Sequence, residues 1–81
     1  QQESLFALIL KSLIDRELNS KEISLYLGQK EISGQLKFIL QKLIKTNLIE
    51  RTIPDKPNHP TQRHRITQKG LLFLKMIQKP N

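Results

Sequence analysis

The sequence predicts a mainly α-helical fold with one small β-hairpin: a winged helix-turn-helix whose elements run helix, helix, helix, strand, strand, helix. Two observations favour this class. Apolar residues recur at helical spacing in four segments. Between the third and fourth of these helical segments, two short β-branched segments flank a proline-rich loop. We interpret residues 1–81 as one domain, because so short a chain buries only one modest core. The chain lacks an initiator methionine, so we expect a piece of a longer protein.

The first helix is predicted over about residues 4–17. At 100° per residue, most of its apolar side chains cover one broad face. That face consists of Phe6, Ile9, Leu10, Leu13 and Ile14. Leu5 and Leu8 fall outside this face. The helix therefore has more apolar surface than one small core needs.

The second helix is short and has signals at both ends. Asn19 or Ser20 can cap its first turn, and Glu22 can complete a capping box with Asn19. Gly28 is expected to stop the helix, because glycine adopts the left-handed backbone conformation that ends many helices. A turn then leads to the third helix.

The third helix is predicted over residues 33–46, with Ser33 as its cap and Asn47 in the left-handed conformation after it. Its buried stripe consists of Leu36, Leu40, Leu43 and Ile44, with Ile39 at the flank. The opposite arc carries Gln35, Lys37, Phe38, Gln41, Lys42 and Lys45. A helix fits the major groove of DNA, where glutamine can read adenine and lysine can read guanine or bind phosphate. We therefore predict that this arc reads DNA; an ordinary solvated helix surface is the alternative.

Phe38 is the one aromatic residue on that polar arc. It can contact a thymine methyl group, as apolar side chains do in the major groove. It can equally anchor a protein partner, because buried aromatic residues dominate many interfaces. The third interpretation is that its ring folds back onto the turn at residues 29–32.

Residues 48–53 and 63–67 are the predicted strands, and Thr67 can cap a last helix that runs to about residue 78. Three prolines restrict the loop between the strands and lower its entropy before binding. Within this wing, residues 54–65, the cations Lys56, Arg63 and Arg65 are predicted to contact flanking phosphates. A stiff charged loop that only protects the hairpin is the alternative.

The positive charge of the chain is unevenly distributed. Residues 1–33 carry four basic and five acidic side chains, a balance of −1. Residues 34–81 carry ten basic and two acidic ones, a balance of +8, which accounts for the net charge of +7. Such asymmetry can attract an anionic partner to the third helix, the hairpin and the last helix; a solvated basic surface kept for solubility is the alternative.

Catalysis and cofactor binding find no support in the sequence. Cysteine is absent, so no thiolate metal site is available. His59 and His64 have only Asp55 nearby, too few candidate ligands for a metal site. The three glycines form no phosphate-binding loop. We predict no enzyme, no cofactor, no metal and no small-molecule substrate.

A membrane location is not expected either. The longest apolar runs are far shorter than the roughly 20 residues that cross a bilayer. The N-terminal sequence lacks the basic region of a secretory signal. With neither an export signal nor cysteine, the expected location is the cytoplasm.

The segment LQKLIKTNLIERTIPDKPNHPTQRHRITQKG resembles the C-terminal winged-helix domain of bacterial Fic-family proteins. It is similar also to the equivalent tail of AlbA-type (divergent AAA, Schlafen-like) transcriptional regulators. Those families show a leucine-rich helix, a GLIE strand, a TIPDKP wing with a downstream glutamine, and a YRLT-KG ending. The match runs through Leu40, Leu43, Leu48, Ile49, Glu50, Thr52, Ile53, Pro54, Asp55, Lys56, Pro57, Gln62, Arg65, Thr67, Lys69 and Gly70.

This resemblance covers about residues 19–74, with two departures. Asn47 stands in place of the usual glycine, and His64 in place of tyrosine. The resemblance implies a winged-helix appendage on a larger protein whose chemistry or ATP binding lies elsewhere. It does not make this segment an enzyme.

The leading prediction is a double-stranded DNA-binding module in transcriptional or other DNA-linked regulation. The alternative is a protein-interaction module, either a homodimer or a domain docked to the remainder of the parent protein. Its interface would use the surplus apolar residues of the first and last helices: Leu5, Leu8, Leu71 and Leu74. RNA is a weaker third prediction, because few exposed aromatic residues are available for base stacking.

Overall fold

The computed structural model describes residues 4–78 and has the predicted element order. Its helices and strands are α1 (Leu5–Ser12), α2 (Ser20–Tyr26), α3 (Gly34–Lys45), β1 (Ile49–Arg51), β2 (His64–Ile66) and α4 (Gln68–Ile77). β1 and β2 form an antiparallel hairpin that pairs Ile49 with Ile66, Glu50 with Arg65, and Arg51 with His64. The fold is therefore the predicted one, mainly α-helical with one small hairpin.

Each of the four described helices begins at a side-chain cap. Ser4, Asn19, Ser33 and Thr67 accept hydrogen bonds from backbone N–H groups in the first turns of α1, α2, α3 and α4. The predicted capping box is present: the Glu22 N–H lies 2.8 Å from Asn19 Oδ1, and Glu22 Oε1 accepts from the Asn19 N–H at 2.9 Å. Such caps satisfy donors that a helix start otherwise leaves unpaired.

Two predicted helix stops are also confirmed. Gly28 has a φ of 81° and follows α2, and Asn47 has a φ of 64° and follows α3. Asparagine takes this left-handed conformation more readily than most residues, which is why it can replace glycine here. Asn47 turns the chain directly from α3 into β1.

The first helix is shorter than the predicted residues 4–17, because its continuation pairs with the hairpin instead. Leu18 and His64 exchange two backbone hydrogen bonds, of 3.1 and 2.7 Å. To reach that position the chain leaves the helix after Ser12 and turns at Asp15, whose φ is 62°. Ile14, predicted to be buried, lies beyond the helix end and is 40% exposed.

The core lies between α1, α2, α3 and the inner face of the hairpin. Its fully buried apolar side chains are Ile9, Leu10, Leu13, Ile23, Leu36, Leu43 and Ile49. Leu74 of α4 belongs to the same core and is 3% exposed. The prediction that Leu74 contributes to a docking surface is therefore wrong, because its side chain is already packed within the domain.

The other three residues of that predicted docking surface are half-buried. Leu5 packs against the core, and Leu8 and Leu71 are of intermediate exposure. The large exposed apolar residues of α4 are instead Leu72, Phe73, Met76 and Ile77. The apolar surface of α4 thus lies on a different side of the helix from the one that the sequence predicted.

A set of hydrogen bonds joins the end of α3 to the start of α4. The Thr67 hydroxyl donates to the Asn47 carbonyl at 2.6 Å, and the Thr67 N–H donates to the Leu48 carbonyl at 3.1 Å. Lys69 Nζ donates to the Thr46 carbonyl at 3.0 Å. The backbone of Gly70 in α4 passes so close to the Leu48 carbonyl that no side chain fits at position 70.

Replacing Gly70 with alanine should destabilise the domain. The added Cβ would collide with the Leu48 carbonyl and come within 2.7 Å of Ile66 Cγ1. We expect a loss of about 1–3 kcal/mol in the free energy of unfolding, as for other overpacked sites. Gly34→Ala is the matched control, because Gly34 is also helical and has nothing within 4 Å of that position. Urea denaturation that gives both variants wild-type stability would contradict this close approach.

Candidate nucleic-acid interface

The exposed arc of α3 carries all six residues predicted to read DNA. Leu36, Ile39, Leu40 and Leu43 bury one side of the helix in the core. The residues on the opposite side, all exposed, are Gln35, Lys37, Phe38, Gln41, Lys42 and Lys45. α3 contains no acidic residue. The arc therefore presents lysines, amides and one aromatic ring to solvent.

Phe38 stays on the surface of this arc, with 63% of its side chain exposed. The ammonium group of Lys42 lies 5.5 Å from the centre of the ring, within the range of a cation–π contact. An exposed aromatic ring beside a cation can contact a base edge or a partner protein.

A cleft of about 460 Å³ runs beside α3, between the start of α2 and the wing. Three cations line it: Lys21 of α2, Lys37 of α3 and Arg51 of β1. Gln41 adds an amide from α3, and the far wall is formed by wing residues 57–60. The described residues that line this cleft include no carboxylate. Its charge and shape are therefore suited to an anion such as a phosphate group.

Two of these cations, Lys21 and Arg51, were missed by the sequence-based prediction. Lys21 lies on the second helix, which the sequence does not place next to the wing. Arg51 pairs across the hairpin with His64, which is 7% exposed and also lines the cleft. The alternation of the two strands would have placed Arg51 on the same side as His64, so this signal was available in the sequence.

Gln62 holds the wing in shape. Its side chain is nearly buried, with 8% exposed. Its Oε1 accepts from the Ile53 N–H at 2.9 Å, while its Nε2 donates to the Ile53 carbonyl and, at 3.0 Å, to the Lys56 carbonyl. One amide near the end of the loop thus satisfies three backbone groups at its start. This geometry explains the glutamine downstream of the TIPDKP motif.

The three predicted wing cations do not act as one group. Arg65 Nε lies 2.6 Å from Glu50 Oε2, and its Nη1 lies 3.7 Å from Glu17 Oε2. The hydrogen bond and the charge of Glu50 raise the pKa of Arg65. Arg63 Nη1 donates to the Glu17 carbonyl at 3.5 Å, whereas Lys56 is exposed at the wing. Arg65 is thus compensated by carboxylates, and the phosphate contacts of these three residues stay a prediction.

His64 lies beneath the cleft and contacts the backbone that precedes α2. Its Nδ1 is 3.3 Å from the Leu18 carbonyl oxygen. Burial lowers the pKa of His64 from its ordinary value of 6.5, and the hydrogen bond to Leu18 opposes this effect; the charge of Arg51 lowers the pKa further. The imidazole is thus a neutral packing group that links the hairpin to the chain between α1 and α2.

The domain should lose stability as the pH falls below 6.5. The unfolded chain binds a proton at His64 near that pH, whereas the folded chain binds it only at lower pH, so the free energy of unfolding decreases there. Urea denaturation at several pH values measures this slope. His64→Gln should flatten the slope, because it removes the histidine whose pKa is lowered by folding. An unchanged slope in this variant would contradict the role of His64.

Neither a metal site nor a membrane-spanning helix is found in residues 4–78. No three His, Asp or Glu side chains in this part of the chain are grouped closely enough to hold a metal ion. No helix in it has the length and apolar composition needed to cross a bilayer.

Comparison with known proteins gives the family of this chain. Residues 6–67 match the family model described as Filamentation induced by cAMP protein Fic-like, C-terminal domain. The chain belongs to this family. The matched residues extend from α1 to Thr67, the cap that precedes α4, and they contain α3 and the wing. The Fic part of the resemblance is thus confirmed, and the likeness to AlbA-type regulators remains a prediction.

A solved structure supports the same assignment. The crystal structure of a Fic family protein from Desulfovibrio desulfuricans G20 aligns with 86% of this Fic-like domain, at 34% identity and a TM-score of 0.67. The alignment covers 22% of that protein, so the chain spans about a fifth of its length. No curated protein matches the chain.

Proposed function

We propose that this Fic-like C-terminal domain binds double-stranded DNA, with α3 in the major groove and a phosphate backbone in the cleft between α3 and the wing. The observation that carries the proposal is the continuity of the two surfaces. Lys37 and Gln41 lie on the exposed arc of α3 and also line the basic cleft. A helix in the groove would therefore bring the flanking phosphates to Lys21 and Arg51.

The dimensions and composition of α3 support this placement. Twelve residues make a helix of about 18 Å, long enough to cross the major groove. Gln41 and Lys45 lie near the middle of the exposed arc, where base edges would be reached. The absence of acidic residues from α3 means that no side chain of the helix repels the phosphates.

The wing contributes a pre-shaped contact. Its loop is held by Gln62 and restricted by prolines, so little conformational entropy remains to be lost on binding. Lys56 is exposed on this loop and can reach a phosphate. Arg65 is expected to contribute less, because Glu50 and Glu17 already compensate its charge. The role we infer for the domain is a non-catalytic, DNA-linked regulatory appendage of a larger protein.

Substituting lysines of α3 should weaken DNA binding and its salt dependence. We expect Lys37→Ala and Lys45→Ala each to reduce the slope of log K against log salt by about 0.9 per lost phosphate contact. Lys75→Ala on α4 removes the same charge away from the arc and cleft and should leave the slope unchanged. Fluorescence anisotropy with a generic duplex, measured across salt concentrations, provides these values. Equal losses in all three variants would indicate only non-specific attraction and contradict the proposed interface.

A further inference from the structure

A second groove lies on the other side of α3, where α1, α3 and α4 meet. Its volume is about 490 Å³. The apolar side chains that line it are Phe6, Leu43, Leu48, Phe73 and Ile77. At its rim are Ser4, Thr46 and two lysines, Lys42 and Lys69. This groove is apolar inside and positively charged at its edge, unlike the polar cleft on the wing side of α3.

The wall formed by α4 is more exposed than a core helix face. Phe73 and Ile77 line the groove and are 36% and 45% exposed. Met76 is 74% exposed and lies on the same side of the helix by its spacing. Exposed apolar residues that adjoin one another, with polar residues around them, usually mark a binding surface.

The charges at the rim indicate the chemistry of the occupant. Lys69 Nζ donates a hydrogen bond to the Thr46 carbonyl, and the ammonium group of Lys42 lies beside the Phe38 ring. No carboxylate is among the described residues that line the groove. An occupant with carboxylates beside an apolar face would therefore be favoured, because the apolar lining and the lysines would each have a matching partner.

A second copy of this chain fits the groove less well. Each copy carries a net charge of +7, and both grooves would bring lysines to a shared interface. Like charges brought together at an interface are unfavourable. These charges favour an acidic partner over the predicted homodimer.

We propose that this groove binds an amphipathic helix whose apolar face is flanked by aspartate or glutamate residues. Helices bind apolar grooves through side chains spaced at i, i+3 or i+4, and i+7, and such side chains would lie between Phe6, Leu43 and Phe73. The flanking carboxylates would pair with Lys42 and Lys69. This docking site is separate from the proposed DNA-binding cleft.

Two synthetic peptides test this proposal on the 81-residue chain. Both are amphipathic helices of about 15 residues with the same apolar face; one has glutamates beside that face and the other has lysines. In an NMR titration of the ¹⁵N-labelled protein, the glutamate peptide should shift the amide signals of residues 42–48 and 69–77. The lysine peptide should bind at least about tenfold more weakly. Equal affinities, binding elsewhere or no binding of the glutamate peptide would overturn the proposal.

Variants on α4 separate this groove from a general effect of apolar surface. Ile77→Ser should weaken binding of the glutamate peptide about tenfold, because it removes an apolar wall of the groove. Leu72→Ser is the matched control, since Leu72 is 53% exposed on the same helix but does not line the groove. Lys69→Glu should reverse the preference toward the lysine peptide. Equal effects of Ile77→Ser and Leu72→Ser, or an unchanged preference in Lys69→Glu, would overturn the proposal.

Two further measurements distinguish this site from the other candidates. The Ile77→Ser variant should bind duplex DNA with the affinity of the unmodified protein. The two proposals can therefore fail independently of each other. Sedimentation equilibrium should show a monomer. A dimer that Ile77→Ser dissociates would assign the groove to a second copy and overturn the acidic helix.

Discussion

The carbonyl groups of Thr46, Asn47 and Leu48, which follow α3 directly, receive hydrogen bonds from the start of α4. This junction sets the position of α3 relative to the hairpin on one side and α4 on the other. It depends on the left-handed conformation of Asn47 and on the missing side chain of Gly70. Both proposed binding surfaces depend on this junction. The cleft lies between α3 and the wing, and the apolar groove lies between α3 and α4.

The two flanks of α3 differ because their neighbours differ. Toward the wing, α3 faces the polar start of α2 and the cation of β1, which gives a cleft suited to phosphate. Toward the termini, it faces the aromatic side chains of α1 and α4, which gives an apolar groove with a basic rim. Lys42 lines that groove and also belongs to the exposed arc. An acidic helix and DNA would therefore have one cation in common.

Local signals in the sequence were sufficient for most of the secondary structure. The caps Asn19, Ser33 and Thr67, and the left-handed positions Gly28 and Asn47, depend only on neighbouring residues, and all were predicted. The exposed arc of α3 followed from its helical period. These features required no knowledge of tertiary contacts.

The errors of the sequence-based prediction concern packing and contacts between separate elements of the chain. The end of α1 depends on the pairing of Leu18 with His64, 46 residues away. Leu74 was misplaced because α4 has a run of apolar residues, from which periodicity alone does not identify the buried side. The compensation of Arg65 by Glu50 was accessible, since the two residues are opposite each other once the strands are aligned.

The central claim is that α3 and the basic cleft form the DNA-binding surface, and mapping that surface tests it most directly. ¹⁵N-labelled protein would be titrated with a generic duplex at low salt while its backbone amide signals are followed by NMR. We predict the largest shifts at Lys37, Gln41 and Lys45 of α3 and at Lys21 and Lys56 beside the cleft, with small shifts in α4. Shifts confined to α4 and the apolar groove, or none at low salt, would contradict the claim.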